Sequence, residues 1–152
     1  MITNNISIIY ASSSGNTLFV SEFVAGKLDE QGFTTDLINA DIFDPMDLNK
    51  MDHVLFATST WEHGEIHPFF HNTIKRLDQI DLQGRKVAFI GTGDRRYEPI
   101  LFCGGMEILR KKVLSRGADE ILSPLRLDGD PRPNADSTVS KWVDKLLTVL
   151  EA

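Results

Sequence analysis

Three hydroxyls, a glycine, an amide and a further hydroxyl fall within six consecutive residues: Ser12, Ser13, Ser14, Gly15, Asn16 and Thr17. The run separates an apolar segment, ISIIYA, from one with helical periodicity, LFVSEFVAGKL. A helix N-terminus exposes unpaired backbone N–H groups and carries about half a positive elementary charge, so it attracts anions. The side chains add neutral donors, and Gly15 lets the backbone bend close to a ligand. No lysine stands in the run, so the G-x-x-x-x-G-K-[ST] cradle of nucleoside triphosphates is absent. A phosphate monoester held by neutral donors suits these residues better. The same residues also make ordinary turns and caps.

Two further runs carry chemistry. TSTWEHGE, residues 58–65, contains Thr58, Ser59, Thr60, Trp61, Glu62, His63 and Gly64. GTGDRRYE, residues 91–98, contains Thr92, Gly93, Asp94 and Tyr97. Each offers glycine for close backbone approach and one large aromatic, and two such rings suit a planar heteroaromatic ligand. A phosphate seat beside two aromatic walls suits flavin mononucleotide (FMN). His63, His67 and His71 recur every four residues, a spacing two metal ligands can share on a helix. Pro68 places a helix start between them and no carboxylate completes a set, so no metal is expected. His63 or His67 is expected near the rim of the ligand, giving pH dependence around 6 to 7.

The elements that must position these runs alternate. Residues 6–11, 53–59 and 86–93 are short, β-branched and almost continuously apolar, as strands buried on both faces of a parallel sheet are. Residues 33–38 alternate, and residues 119–127 are interrupted by Pro124, so both read as edge strands. Between them lie helical patterns: Val20, Phe23, Val24 and Leu28 before Gly32; Met106, Leu109, Val113 and Leu114 before Gly117; and Val139, Trp142, Val143, Leu146, Leu147 and Leu150 near the end. A shorter helix is expected to start near Pro68. Right-handed βαβ crossovers then give a three-layer, doubly wound α/β domain with five parallel strands. In such sheets ligands sit beyond the carboxyl ends of the strands, where the three polar runs fall.

Length and charge narrow the function classes. A chain of 152 residues suits one domain spanning 1–152. The net charge of −6 argues against binding nucleic acid or an anionic membrane through clustered basic residues, and favours a basic protein partner. Cys103 is the single cysteine, so an internal disulfide is excluded. With no basic leader and no apolar span of about 18 residues, a soluble cytoplasmic protein is expected, most simply a monomer.

Taken together, SSSGNT, TSTW and the run from Gly93 and Asp94 through Tyr97 and Glu98 to the FCG of residues 102–104 resemble the three cofactor loops of the flavodoxin family. LRLDGDPR, residues 125–132, is similar to the run before the last helix of short-chain members. The resemblance covers essentially the whole chain and implies strand order 2-1-3-4-5. It implies that Ser12, Ser13, Ser14, Gly15, Asn16 and Thr17 bind the FMN phosphate, with Thr58, Ser59 and Thr60 on the ribityl side. Trp61 and Tyr97 would cover the two flavin faces, with Glu62, His63 and Gly64 following Trp61. Thr92, Gly93, Asp94 and the backbone of Cys103 would address the pyrimidine edge. The implied function is a low-potential one-electron carrier between a flavodoxin or ferredoxin reductase and downstream redox proteins, without nucleic acid or membrane.

Some residues depart from the family pattern. Glu62 stands where some members have glycine, which makes a carbonyl turn toward the flavin costlier. Arg95 and Arg96 stand where small or acidic residues are more usual, and two nearby positive charges favour the reduced, anionic flavin. A quinone-reductase-like enzyme would need a nicotinamide or substrate pocket, for which no motif is present. A response-regulator-like domain would need an Asp where Thr58 and Ser59 stand, and a low-molecular-weight phosphatase a cysteine in the first loop.

Overall fold

The computed structural model describes residues 4–61, 64–96 and 102–151. The strands β1 (Asn5–Ala11), β3 (His53–Trp61) and β5 (Lys86–Gly93) form the centre of a parallel sheet, with β2 (Thr34–Asn39) at one edge. At the other edge β6 (Asp119–Glu120) and β7 (Leu125–Asp128) both pair with β5. The resulting order, β2-β1-β3-β5 and then β6 with β7, is the expected 2-1-3-4-5, its last position filled by two short pieces. Pro124 lies in the gap, where a residue without an N–H cannot continue the ladder.

The central strands are apolar throughout because both faces are covered. Ile8, Leu55 and Ala88 pack on one side with Val20, Val24 and Leu28 of α1 (Asn16–Glu30) and Trp142, Val143 and Leu146 of α4 (Ser140–Leu150). Their neighbours Ile9, Phe56 and Phe89 pack on the other side with Phe70, Leu77 and, from α3 (Gly104–Ser115), Met106, Leu109 and Val113. Alternate residues of one strand thus feed two cores, the arrangement a period of two imposes. The expected three layers follow.

Local signals set the ends of the helices. α1 stops at Gly32, φ 92°, whose N–H bonds the Asp29 carbonyl while Phe33 N–H reaches Leu28, a Schellman closure requiring the left-handed region. The helix expected near Pro68 begins as a 3-10 turn, Pro68–Phe70, before α2 (His71–Arg76). Entry to α4 runs through a π turn, Ala135–Val139, so Val139 precedes the helix it was expected to join while remaining buried in the same core. One element is unexpected: β4 (Glu65–Ile66) folds back antiparallel on β3, pairing Thr60 with Ile66 and Trp61 with Glu65. Two residues give too short a pattern to read from sequence.

Candidate functional site

From β1 the chain runs through α1 to the edge strand β2, then crosses back to β3 on the other side of β1. Strand order reverses between β1 and β3, so the loops leaving those two ends diverge and leave a crevice. A cavity of about 360 Å³ lies there. It gathers Ser14 and Asn16 from the first loop, Ser59 and Thr60 from β3, and Thr92, Gly93 and Asp94 after β5. Arg96, Gly129 and Asp130 also line it.

The first loop is built to present donors. Gly15 sits at φ 92° ahead of α1 with nothing within 4 Å of where a Cβ would stand, so its role is conformational. The Ser12 hydroxyl accepts from Gly15 N–H at 3.1 Å and closes the turn. The first backbone bond of the helix runs from Phe19 N–H to the Gly15 carbonyl, leaving the amides of Asn16, Thr17 and Leu18 without intrahelical acceptors. The Thr17 hydroxyl is buried against that of Thr92 at 2.9 Å, so Thr17 offers its backbone N–H to the crevice and its side chain to the fold.

Two residues outside the expected set reach this loop. His67, 1 % exposed, places Nε2 2.8 Å from the Ser13 hydroxyl, while its Nδ1 accepts from Phe69 N–H at 3.1 Å. Both ring nitrogens are therefore engaged inside the protein, and His67 is neither a metal ligand nor an exposed rim group. Burial lowers its pKa, with His71 adding to that effect and Asp41 opposing it. Arg132 donates to the Asn16 side-chain oxygen at 3.0 Å and lies 5.1 Å from the Phe19 ring centroid. A guanidinium thus stands at the edge of a seat that otherwise offers neutral donors. The run containing Arg132 is recognisable in the sequence, but its contact with Asn16 spans 116 residues.

Trp61 follows directly on Ser59 and Thr60 and is 43 % exposed, one of few large apolar side chains left open to solvent. Its ring meets His67 edge-on, centroids 5.4 Å apart. Behind it, Thr60 Oγ1 accepts from Gly105 N–H at 3.2 Å. Gly64, φ 73°, packs so closely on the start of α3 that a Cβ on Gly104 would lie 2.9 Å from its carbonyl oxygen. Thr58 is fully buried and donates to the Ser59 carbonyl, so it shapes the strand end from inside. The Cys103 thiol is buried beneath Gly91, and desolvation pushes its pKa up to about 11.

In the third loop, Arg96 forms an ion pair with Asp94 at 2.7 Å, and these hydrogen bonds hold the Asp94 carboxyl below the ordinary range. The Arg95 guanidinium lies 4.4 Å from the centroid of the Phe102 ring, and the Arg95 backbone N–H donates to the Asp128 carboxylate at 2.9 Å. The positive charge expected from Arg96 is therefore partly balanced at source. Glu62, His63 and Tyr97 lie outside the described residues.

A doubly wound parallel sheet with a phosphate-sized donor loop, an open tryptophan and a polar crevice at its switch point defines a class of protein that holds a planar, phosphorylated ligand at its strand ends. A flavodoxin family profile matches residues 8–142, and the chain belongs to that family. Only residues 121–124 separate the halves of its fifth strand, as in short-chain members. A flavodoxin of Nitratidesulfovibrio vulgaris (strain Miyazaki F) is 33 % identical over 150 residues, covering 96 % of this chain and 99 % of that one. The crystal structure of oxidised flavodoxin 2 from Bacillus cereus superposes with TM-score 0.86 at 31 % identity, covering 97 % and 98 % of the two chains. The flavodoxin of Fusobacterium nucleatum bound to flavin mononucleotide shares the fold, with TM-score 0.82 at 21 % identity over 95 % and 97 % of the chains.

Proposed function

We infer that this chain is an FMN-binding one-electron carrier that passes electrons between a reductase and acceptor redox proteins. The observation that carries the reading is the convergence of the uncapped α1 N-terminus, with its free amides at Asn16, Thr17 and Leu18, on the same crevice as Ser59, Thr60 and Thr92. Those groups fit a phosphate at one end of the crevice, and the exposed Trp61 fits an aromatic ring system beside it.

When bound, FMN supplies the one-electron redox chemistry. The chain's own residues bind and orient it. Ser12, Ser13, Ser14 and, past the turn at Gly15, the free amides of Asn16, Thr17 and Leu18 hold the phosphate; Thr58, Ser59 and Thr60 shape the ribityl side; Trp61 covers one ring face and Tyr97 the other. The segment Glu62, His63 and Gly64 and the backbone of Thr92, Gly93, Asp94 and Cys103 border the polar edge of the flavin. Among the described residues no helix is long and apolar enough to cross a membrane. The protein works as a cytoplasmic monomer, one domain spanning 1–152. It has no substrate turnover of its own, and its acidic surface meets a basic face on a flavodoxin or ferredoxin reductase and on the acceptors.

Titration of apoprotein into FMN, followed by quenching of flavin fluorescence, tests the cofactor. A Kd at or below about 1 μM, near −8 kcal/mol, is expected. Colourless protein that leaves FMN fluorescence unchanged at about 10 μM overturns the reading. Oxidation of NADPH by the holoprotein alone would show an intrinsic reductase instead of a carrier.

A further inference from the structure

We propose that His67 is a positioning residue for the cofactor phosphate, acting through Ser13 by holding the serine hydroxyl as an obligate donor. The proposal rests on the FMN reading above and deepens it at one position.

Because Nδ1 accepts from Phe69 N–H at 3.1 Å, the neutral imidazole carries its proton on Nε2. That N–H donates to Ser13 Oγ at 2.8 Å. The serine oxygen is then occupied as an acceptor on the protein side, and among the described residues its own proton has no protein acceptor. Its remaining bond is a donor bond, the polarity a phosphate oxygen requires.

The geometry resists the alternatives. A protonated ring would turn a second N–H toward that of Phe69, and the 1 % exposure of His67 leaves no water to take over. Rotation of the ring is opposed by Trp61, edge-on at 5.4 Å, and by Phe69, with centroids at 4.5 Å. Among the described residues the charged or titratable neighbours that act on it are His71 of α2 and Asp41 after β2. Burial lowers the pKa of the ring, which favours its neutral form. One side chain thus ties the phosphate loop after β1 to the tryptophan loop after β3, across 54 residues of sequence.

The test compares FMN with riboflavin, which lacks the phosphate, by fluorescence quenching on apoprotein. Ser13→Ala removes the donor from an exposed loop and leaves the His67 Nε2–H without its acceptor, so a urea melt is run beside each titration to show that the variant is folded; FMN affinity is expected to fall about tenfold or more while riboflavin affinity changes less than about twofold. His67→Phe keeps ring volume and should give the same FMN-selective loss, with His67→Gln, whose amide donates to Ser13, recovering most of it. The double variant S13A/H67F should lose no more than the larger single loss. Equal losses for FMN and riboflavin, additive losses in the double variant, or S13A binding FMN like the parent would each overturn the proposal. A parent protein that binds neither flavin overturns the FMN reading and this proposal with it, whereas failure of the variants alone overturns only the role of His67.

Discussion

The hydroxyls of Thr17 and Thr92 meet at 2.9 Å in the protein interior and join the first turn of α1 to the end of β5. Among the described residues each is the other's only side-chain partner, so removing one strands a buried hydroxyl. Thr92→Val is expected to cost about 1–3 kcal/mol, seen as a lower urea midpoint at unchanged slope. Removing both groups leaves nothing unsatisfied, so T17V/T92V should be more stable than the sum of the single changes implies. Additive losses would show that the contact contributes nothing.

That pair also shows where sequence reading stops. Six adjacent residues in SSSGNT announce an anion seat because both the donors and the helix start are local. The apolar runs of β1, β3 and β5 announce a sheet covered on both faces for the same reason. Thr17 bonding Thr92, Ser13 bonding His67 and Arg132 reaching Asn16 are separated by 75, 54 and 116 residues, and only the packed sheet brings them together. The four-residue histidine spacing invites a metal, which Pro68 and the lack of a completing carboxylate argue against, whereas the actual partners of His67, a serine and a backbone amide, leave no periodic trace. Pro124 correctly marked a weak edge, while β4 has too few residues to show any pattern at all.

Gly105 and Gly26 stand in helices but are expected to respond oppositely to alanine. A Cβ on Gly26 meets nothing within 4 Å, so Gly26→Ala should stabilise by about 0.5–1 kcal/mol through helix propensity. On Gly105 it would lie 2.8 Å from the Glu65 carbonyl oxygen and 3.3 Å from Ile66 Cα. These are backbone atoms that cannot turn aside, and the Gly105 N–H bond to Thr60 would be strained with them. Gly105→Ala should destabilise by about 1–3 kcal/mol and shift Trp61 fluorescence. Thermal melts of the two variants moving in the same direction would contradict this account of α3 docking.

Acid should weaken the fold before the carboxylates titrate. His53 and His67 both have pKa values lowered from 6.5, chiefly by burial. Lys86 adds to the shift at His53 and Asp52 opposes it, as His71 and Asp41 do at His67. The folded state therefore favours the neutral rings. Their contribution is complete above pH 6.5 and is lost as pH falls below it, because the unfolded chain takes up protons first. Melting temperature should decline between about pH 7 and about pH 5.5, and H53Q/H67Q should flatten that decline. An unchanged slope in the double variant would assign the acid response elsewhere.

Cys103 is the one described non-glycine residue with positive φ, 56°, and its thiol is sealed beneath Gly91. Desolvation raises its pKa from 9.0 to about 11, so at pH 8 the folded protein holds almost no thiolate. Reaction with a disulfide reagent should be slow in the folded state and complete on unfolding in urea. Stability is also expected to fall as pH rises from 9.0 toward about 11, where only the unfolded thiol ionises freely. Rapid labelling of native protein at pH 8 would place the thiol at the surface.

Arg132 and Asp130 set opposing charges beside the phosphate loop. Arg132 donates to Asn16 at 3.0 Å and to Asp130 at the same distance, and its backbone N–H, with the guanidinium adding to it, holds the Asp130 carboxyl below its ordinary range. Half of the Arg132 side chain is exposed, so solvent screening limits its effect on a bound phosphate. Arg132→Ala should weaken FMN binding by about 2- to 10-fold at low salt, with the difference shrinking at about 0.5 M salt and riboflavin unaffected. Because R132A also leaves Asp130 uncompensated, Asp130→Asn should tighten FMN binding, and R132A/D130N should fall near the parent. If instead R132A weakens both flavins equally at all salt concentrations, the arginine acts by shaping the loop through Asn16 and Phe19, and its charge is incidental.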